Sequence, residues 1–392
     1  MSRPTTSYQL PTTQRLRIAI VHDWFVGGGA EQVVEQLHKI YPQAPIYTAY
    51  CSPVWRQRLA GAKIITSYMQ NWPLPKLRKF LPPLRAMWFS RLDLSGYDLV
   101  ISSSGAEAKG VKVKTPAVHI NYCHAPTHYY WSRYDEYLNS PGFGFLDPVA
   151  RLGLKLLVGP MRKWDFKAAQ RPHHIIANSS YIKGQVKQYY GRDAQVINPP
   201  VDIDRFKILN KPGATTPENK FSGGPTPRNG FLAAGRQTPY KRIDLAIAAC
   251  TKLSLPLTVI GNGPEHKKLK KMAGRSVTFM RGLSDEDIVK HFQSVNAFIF
   301  PGVDDFGIVA VEALAAGTPV IAYKDGGALD YIRPGQNGVF FDKQDVDELA
   351  KVLSSFNSAQ FDSGKVRQSA LPFSPQEFRR KFEAMVNKLV QR

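Results

Sequence analysis

Residues 300–323 read FPGVDDFGIVAVEALAAGTPVIAY. One apolar run, residues 297–300, enters this stretch, and another, residues 320–322, closes it. Between them a loop carrying Asp304 gives way to a helix predicted to begin near Phe306. Strand, helix and strand in this order make the repeating unit of a parallel sheet wound with crossover helices. The alternation continues on both sides. Strands are predicted at 17–21, 99–102, 117–122, 174–177 and 195–197 in the first half, and at 230–234, 257–260 and 277–280 before the quoted stretch. The fold class expected is α/β, with two Rossmann-like doubly wound domains facing a central cleft, each binding its ligands beyond the carboxyl ends of its strands.

The chain has 392 residues, enough for two cores. The expected division is 1–200, 201–372, and a C-terminal helix within 373–392 that packs back on the first domain. Asn198, Pro199 and Pro200 form a stiff turn out of the first domain. The polar, Pro/Gly-rich residues 210–229 read as an exposed loop beside the boundary. Cys51, Cys123 and Cys250 are scattered, with no pairing that suggests a disulfide framework or a zinc site. The first dozen residues are polar, and no window is apolar enough to span a membrane. A cytoplasmic protein is therefore expected. Its net charge is +21; residues 1–200 carry 25 basic and 11 acidic side chains, and no acid occurs between Glu35 and Asp93. Such a field attracts polyanions or an anionic leaflet, although a solvated basic surface accounts for it too.

Several loops can carry chemistry. After the first strand, HDWFVGGGAEQVVEQL places Gly27, Gly28 and Gly29 before a helix whose bare amides favour negative charge. The spacing is not that of a dinucleotide fingerprint, and a plain tight turn explains it as well. Residues 235–241, GRQTPYK, put Arg236 and Lys241 at a strand end, where two fixed cations can stabilise a departing diphosphate. Gly261, Asn262 and Gly263 follow the next strand, where a base or phosphate can approach bare backbone; an ordinary turn is the alternative. In the opening stretch, Phe306, Gly307 and Ile308 form the amide-rich helix start beside Asp304. Glu312, two turns on, can face the same side. Carboxylates there can accept hydrogen bonds from sugar or ribose hydroxyls, and helix capping is the bland reading for Asp304. Asp202 and Asp204 form a DxD-like string, but directly after the Pro pair they read as structural rather than metal-binding.

In order, these pieces, together with NYCHAP and NSSYIKGQVKQYYGRDAQVINPPVD, resemble the GT-B-fold glycosyltransferases of family 4 over nearly the whole chain. The resemblance implies retaining transfer from a nucleoside-diphospho-sugar, without metal or other cofactor, by front-face substitution. It matches Arg236 and Lys241 to the diphosphate-binding pair and Glu312 to the glutamate that holds the nucleotide ribose. Asp304 stands where the family usually has a glutamate that contacts the donor sugar, one methylene shorter. His124 matches the active-site histidine, whose charge is tunable near neutrality. Gly105 replaces a histidine often found in ISSSGAEAKG, and Lys109 is expected to face the acceptor. NYCHAPTHYYW and NPPVD look most like members that use GDP-mannose, so a mannosyltransferase of polysaccharide biosynthesis is expected, acting on a glycan or lipid-linked acceptor.

Residues 74–92, LPKLRKFLPPLRAMWFSRL, interleave Lys76, Arg78, Lys79, Arg85 and Arg91 with Leu, Phe and Trp. Residues 151–167 are a second segment of this kind. Both read as elements for peripheral docking on an anionic membrane surface, although Pro82 and Pro83 argue against one long amphipathic rod. Three other readings compete: a sugar-nucleotide epimerase or a phosphorylase of the same fold, and a nucleic-acid-binding protein. The phosphorylase lacks an evident cofactor lysine, and the nucleic-acid reading lacks a recognised motif, so no nucleic-acid partner is expected.

Overall fold

The computed structural model describes residues 16–71, 81–139, 141, 144–206 and 229–390. The expected linker at 210–228, the N-terminal dozen, and Lys76, Arg78 and Lys79 lie outside them. The chain divides into two compact units, residues 1–200 with 376–392, and residues 201–375.

Unit 1 contains β1 (Ile18–His22), α1 (Gly29–Ile40), β2 (Ile46–Thr48), α2 (Pro53–Arg58), β3 (Ile64–Thr66) and α3 (Pro82–Arg91). It continues with β4 (Leu99–Ser104), β5 (Val118–Cys123), α4 (Tyr134–Asn139), α5 (Asp147–Ala169), β6 (His174–Ala177), α6 (Ser180–Tyr190) and β7 (Gln195–Val196). Its strands lie in the order β3-β2-β1-β4-β5-β6-β7, with every pair parallel. The central strands β4 (LVISSS) and β5 (VHINYC) are buried along their whole length, polar residues included, as strands inside a parallel sheet are.

Unit 2 repeats the plan with β8 (Phe231–Ala234), α7 (Ile243–Lys252), β9 (Leu257–Ile260), α8 (His266–Met272), β10 (Val277–Met280), α9 (Asp285–Ser294) and β11 (Ala297–Phe300). There follow α10 (Ile308–Ala315), β12 (Val320–Tyr323), β13 (Gly338–Phe341), α11 (Val346–Ser355) and α12 (Ser363–Gln368). The strand order is β10-β9-β8-β11-β12-β13, again all parallel. The last helix, α13 (Pro375–Val390), belongs to unit 1 from Gln376 onward. Phe378, Phe382, Met385 and Val386 form its apolar stripe and join Val33, Val34, Leu37 and Tyr122 in one buried cluster.

Two cations that the sequence reading placed on the surface of unit 1 are buried. Lys109 is 1% exposed. Its ammonium lies 2.6 Å from Asp165 and 3.0 Å from the Thr127 hydroxyl. Asp165 also accepts hydrogen bonds from Thr127, the Trp131 indole and the Tyr190 hydroxyl. Lys109 therefore does not face an acceptor; it satisfies a core carboxylate. Arg85, at 2% exposed, makes a two-point ion pair with Glu107, which Tyr129 also bonds. Its guanidinium lies over the Trp24 ring, so it contributes nothing to a basic outer face. Pro82 and Pro83 occupy the first turn of α3, where a missing amide costs nothing, and so start a helix rather than break one.

Removing one partner of a buried ion pair leaves the other uncompensated. Asp165→Ala strands the Lys109 ammonium, an indole and two hydroxyls together, so it is expected to destabilise unit 1 by about 3–5 kcal/mol. Urea unfolding followed by tryptophan fluorescence checks this; an unchanged midpoint at unchanged slope would show that Asp165 is dispensable.

Candidate functional site

In unit 2, β8 has neighbours on both sides, β9 and β11, and the strand order reverses there. Loops leaving the carboxyl ends of strands at such a switch point diverge and leave room for a ligand. The loop after β8 carries Arg236 and Lys241, and the loop after β11 carries Asp304. Gly302 fixes their approach: a Cβ there would come 2.7 Å from Lys241 Cα, so only glycine lets the two backbones meet. Lys241 and Asp304 form an ion pair through Nζ and Oδ2. The ammonium also lies 5.7 Å from the Phe300 ring centroid and 5.6 Å from that of Tyr240. Asp304 is 7% exposed, and its Oδ1 has no hydrogen-bond partner among the described residues. A buried carboxylate oxygen left bare gains by accepting a hydroxyl. Arg236 is exposed at the end of β8.

Glu312 is half-buried in α10. Burial pushes its carboxyl up to about 7; nearby Arg205 opposes the shift, and Asp202 and Asp285 add to it. Gly307 caps α10, so the helix starts at Ile308, two residues later than expected. Phe306 is 3% exposed and packs on Tyr331 and Phe373, which leaves its side chain in the core instead of on a ligand surface.

The glycines of residues 261–263 let two loops close on one another. Gly261 has φ +125°, and a Cβ there would overlap the Gly235 carbonyl; one on Gly263 would overlap the backbone of Gln237. The bare faces of both glycines meet the loop after β8, and exposed Asn262 folds its Oδ1 back to accept the Gly263 amide at 2.8 Å. Gln237, fully buried, joins the two loops: its amide nitrogen donates to the Gly261 carbonyl, and its Oε1 meets His266 Nδ1 at 2.7 Å. Nothing in the sequence reading had singled out Gln237.

Unit 1 has its own reversal, between β1 and β4. Asp23 follows β1 and accepts the backbone amides of Gly105, Ala106 and Ala108, which fixes the loop after β4. His124, at the end of β5, meets the Ser103 hydroxyl through Nε2 at 2.7 Å. His22 meets the carbonyl of the same Ser103 through Nδ1 at 2.9 Å. The two rings stand edge to face with centroids 6.4 Å apart. His22 is 2% exposed, and its Nε2 has no hydrogen-bond partner among the described residues. A donated Nδ1 proton would leave Nε2 a bare acceptor. Neither His22 nor Asp23 was among the expected site residues; the adjacent His-Asp pair closing an apolar run was the available signal.

At the start of α1, Gly28 is exposed and Gly29 half-buried. The amides that precede them are not open to an anion, however. Glu31, 3% exposed, accepts from Val26 N at 3.1 Å and from Gly27 N at 2.8 Å. The loop thus answers these two amides with its own carboxyl group. Asp202 accepts the Arg205 amide. Among the described residues, no group of three or more His, Cys, Asp or Glu side chains is placed to hold a metal ion.

Comparison with known proteins places both units in families. Residues 27–205 match the model described as Glycosyltransferase Family 4, and residues 215–369 match that of Glycosyl transferases group 1. A D-inositol 3-phosphate glycosyltransferase of Mycobacterium sp. (strain KMS) is 29% identical over 200 residues, 47% of this chain and 44% of that protein. A GDP-mannose-dependent alpha-(1-6)-phosphatidylinositol monomannoside mannosyltransferase of Mycolicibacterium smegmatis is 29% identical over 195 residues, 45% of this chain and 50% of that one. These matches span about half the length of those relatives. Among solved structures, Anabaena HepE in complex with UDP-glucose aligns over 95% of this chain and 100% of its own, with TM-score 0.66 and 18% identity. Sucrose-phosphate synthase from Thermosynechococcus elongatus aligns over 96% and 99%, with TM-score 0.65 and 16% identity. At these identities the structural likeness concerns the fold.

The raised carboxyl of Glu312 makes a signed prediction. A native-state value near 7, above the ordinary 4.5, means that the stability its proton supplies is present in full below about 4.5 and is lost as pH rises through about 7. Glutamine mimics the protonated form at every pH. The melting temperature of Glu312→Gln is therefore expected to equal the parent's at pH 4.5 and to exceed it by several degrees at pH 8. A constant difference across that range would refute the assignment.

Proposed function

Because the chain belongs to the GT-B glycosyltransferases of family 4, we propose that it transfers a hexose, with retention, from a nucleoside diphosphate sugar to a glycan or lipid-linked acceptor. The observation that carries this reading is the constellation at the unit 2 switch point: Lys241 paired to Asp304, with exposed Arg236 at the end of β8.

On this reading Arg236 and Lys241 take the charge that grows on the diphosphate as the bond to the anomeric carbon breaks. An ammonium has three donors, so Lys241 can hold an anion while it keeps Asp304. The bare Oδ1 of Asp304 accepts a hydroxyl of the donor sugar, and Glu312 accepts the ribose hydroxyls. The acceptor oxygen bonds the anomeric carbon on the face the diphosphate leaves, and the acceptor proton passes to the departing diphosphate oxygen. His124, oriented by Ser103, acts at the reacting sugar. No divalent ion is assigned a part. GDP-mannose is the proposed donor, supported by motif likeness and by the GDP-mannose-dependent relatives at 28–29% identity. A UDP-sugar is the second reading, since structural neighbours were solved with UDP and UDP-glucose.

A thermal-shift panel of GDP, UDP, ADP and their sugar conjugates, with EDTA or magnesium, tests the proposal. One nucleoside diphosphate is expected to stabilise the protein in EDTA, with GDP ahead of UDP. Arg236→Ala and Lys241→Ala should each abolish the shift. His124→Ala should retain it while turnover falls on the order of 10²-fold or more. A shift seen only with magnesium, or with none of the nucleotides, would sink the reading.

A further inference from the structure

Helix α5 carries an outward face unlike the rest of unit 1. Val149 is 66% exposed, Leu152 59% and Leu156 68%, with Leu157 and Phe166 also substantially open to solvent. The spacing 149, 152, 156 places the first three on one stripe of a helix, opposite Met161, Asp165 and Ala168, which are buried. Lys155, Lys163 and Lys167 are exposed on the same outer side. Within α5 the only acids are Asp147 at its first residue and Asp165, which is buried against Lys109. The exposed stripe from Val149 to Phe166 is about 25 Å long at a rise of 1.5 Å per residue. No helix among the described residues is long and apolar enough to cross a membrane, so this face is interfacial in kind.

We propose that the outer face of α5 docks unit 1 on an anionic lipid surface, with Val149, Leu152 and Leu156 entering the headgroup boundary and the lysines meeting lipid phosphates. Three observations favour lipid over other occupants. Large aliphatic side chains left in water on one stripe need an apolar cover, and interleaved lysines need an anionic one; an anionic bilayer surface supplies both. A second copy of the chain is disfavoured, because a self-complementary interface along this stripe would set lysines against lysines. Further, α3 shares this edge of the unit. Trp164 of α5 packs on Gly110, and Arg171, just beyond α5, lies 3.4 Å from the Ser90 hydroxyl of α3. Exposed Arg91 and Met87, 37% exposed, lie on α3, so part of the basic segment at residues 74–92 adjoins the one at residues 151–167. The inference stands independently of the transfer reaction.

Flotation of the full-length protein with vesicles of phosphatidylcholine alone, or with about one third phosphatidylglycerol, tests it. Binding is expected with the anionic vesicles, and it should weaken as salt rises. Leu152→Ser/Leu156→Ser should abolish it, and Lys155→Glu/Lys163→Glu should weaken it at least tenfold. Both pairs are exposed, so the melting temperature should stay within a degree or two of the parent's, and the nucleotide-induced shift should persist. Equal recovery with and without anionic lipid overturns the proposal, as does parent-like binding by the Leu152→Ser/Leu156→Ser variant. Loss of a concentration-dependent dimer in that variant during sedimentation, with no vesicle binding by the parent, would assign the face to self-association instead.

Discussion

The ion pair between Lys241 and Asp304 constrains everything around it in unit 2. An ammonium and a carboxylate this close must be carried by backbones held in fixed register, and the adjacent parallel strands β8 and β11 supply that register. Gly302 then allows the two loops to touch, Gly261 and Gly263 allow the loop after β9 to close against the first, and Gln237 joins them by hydrogen bonds. Three loops at the carboxyl ends of three neighbouring strands become one rigid platform. Unit 1 reaches the same end by other means: the Asp23 carboxylate collects three backbone amides of the loop after β4, and Ser103 offers its carbonyl to His22 and its hydroxyl to His124. In both units a side chain that immediately follows a strand, or lies a few residues beyond it, organises the neighbouring loop.

The architecture was readable because a parallel sheet covered on both faces writes its strands as apolar runs. The runs at 174–177, 257–260, 277–280 and 297–300 appear in the structure with those bounds. β2 and β3 escaped notice because three residues set up no period, and β13 because Gly338 opens it. The site was half readable. Residue types suited to a diphosphate and to hydroxyls could be picked out by position after a strand, and Lys241 and Asp304 do meet. Burial was not readable. Lys109 and Arg85 look like surface charges in sequence, and each finds its partner through tertiary packing, Asp165 across 56 positions and Glu107 across 22, whereas Glu31 turns back locally on the loop amides of Val26 and Gly27. The glycines were ambiguous for a related reason. A bare backbone admits either a ligand or another backbone, and at Gly261 and Gly263 it admits the backbone of the loop after β8.

Where sequence rules fail locally, the free protein bears strain that a ligand can relieve. Glu312 and Asp304 of unit 2 are in that condition. Glu312 is held in surroundings that disfavour its charge, and Asp304 leaves one buried oxygen bare. Neither arrangement helps the fold by itself, since a buried acceptor without a donor costs about 1–3 kcal/mol. Both improve when hydroxyl donors arrive. This asymmetry separates a binding surface from a merely charged one, and the exposed lysines of α5 show no sign of it.

The shorter acid at position 304 sharpens the point. A glutamate would reach one methylene further from the loop after β11, whereas here the aspartate is drawn in against Lys241, and Oδ2 is committed to that cation. Only Oδ1 remains for a hydroxyl, and it is buried, so a sugar that presents no donor at that spot would seal the oxygen away unsatisfied. Discrimination by an unpaired buried polar group is far steeper than discrimination by shape alone. On the proposed reading, donor choice is then governed less by the width of the site than by whether one sugar hydroxyl points at one oxygen, with Lys241 setting the direction from which it must come.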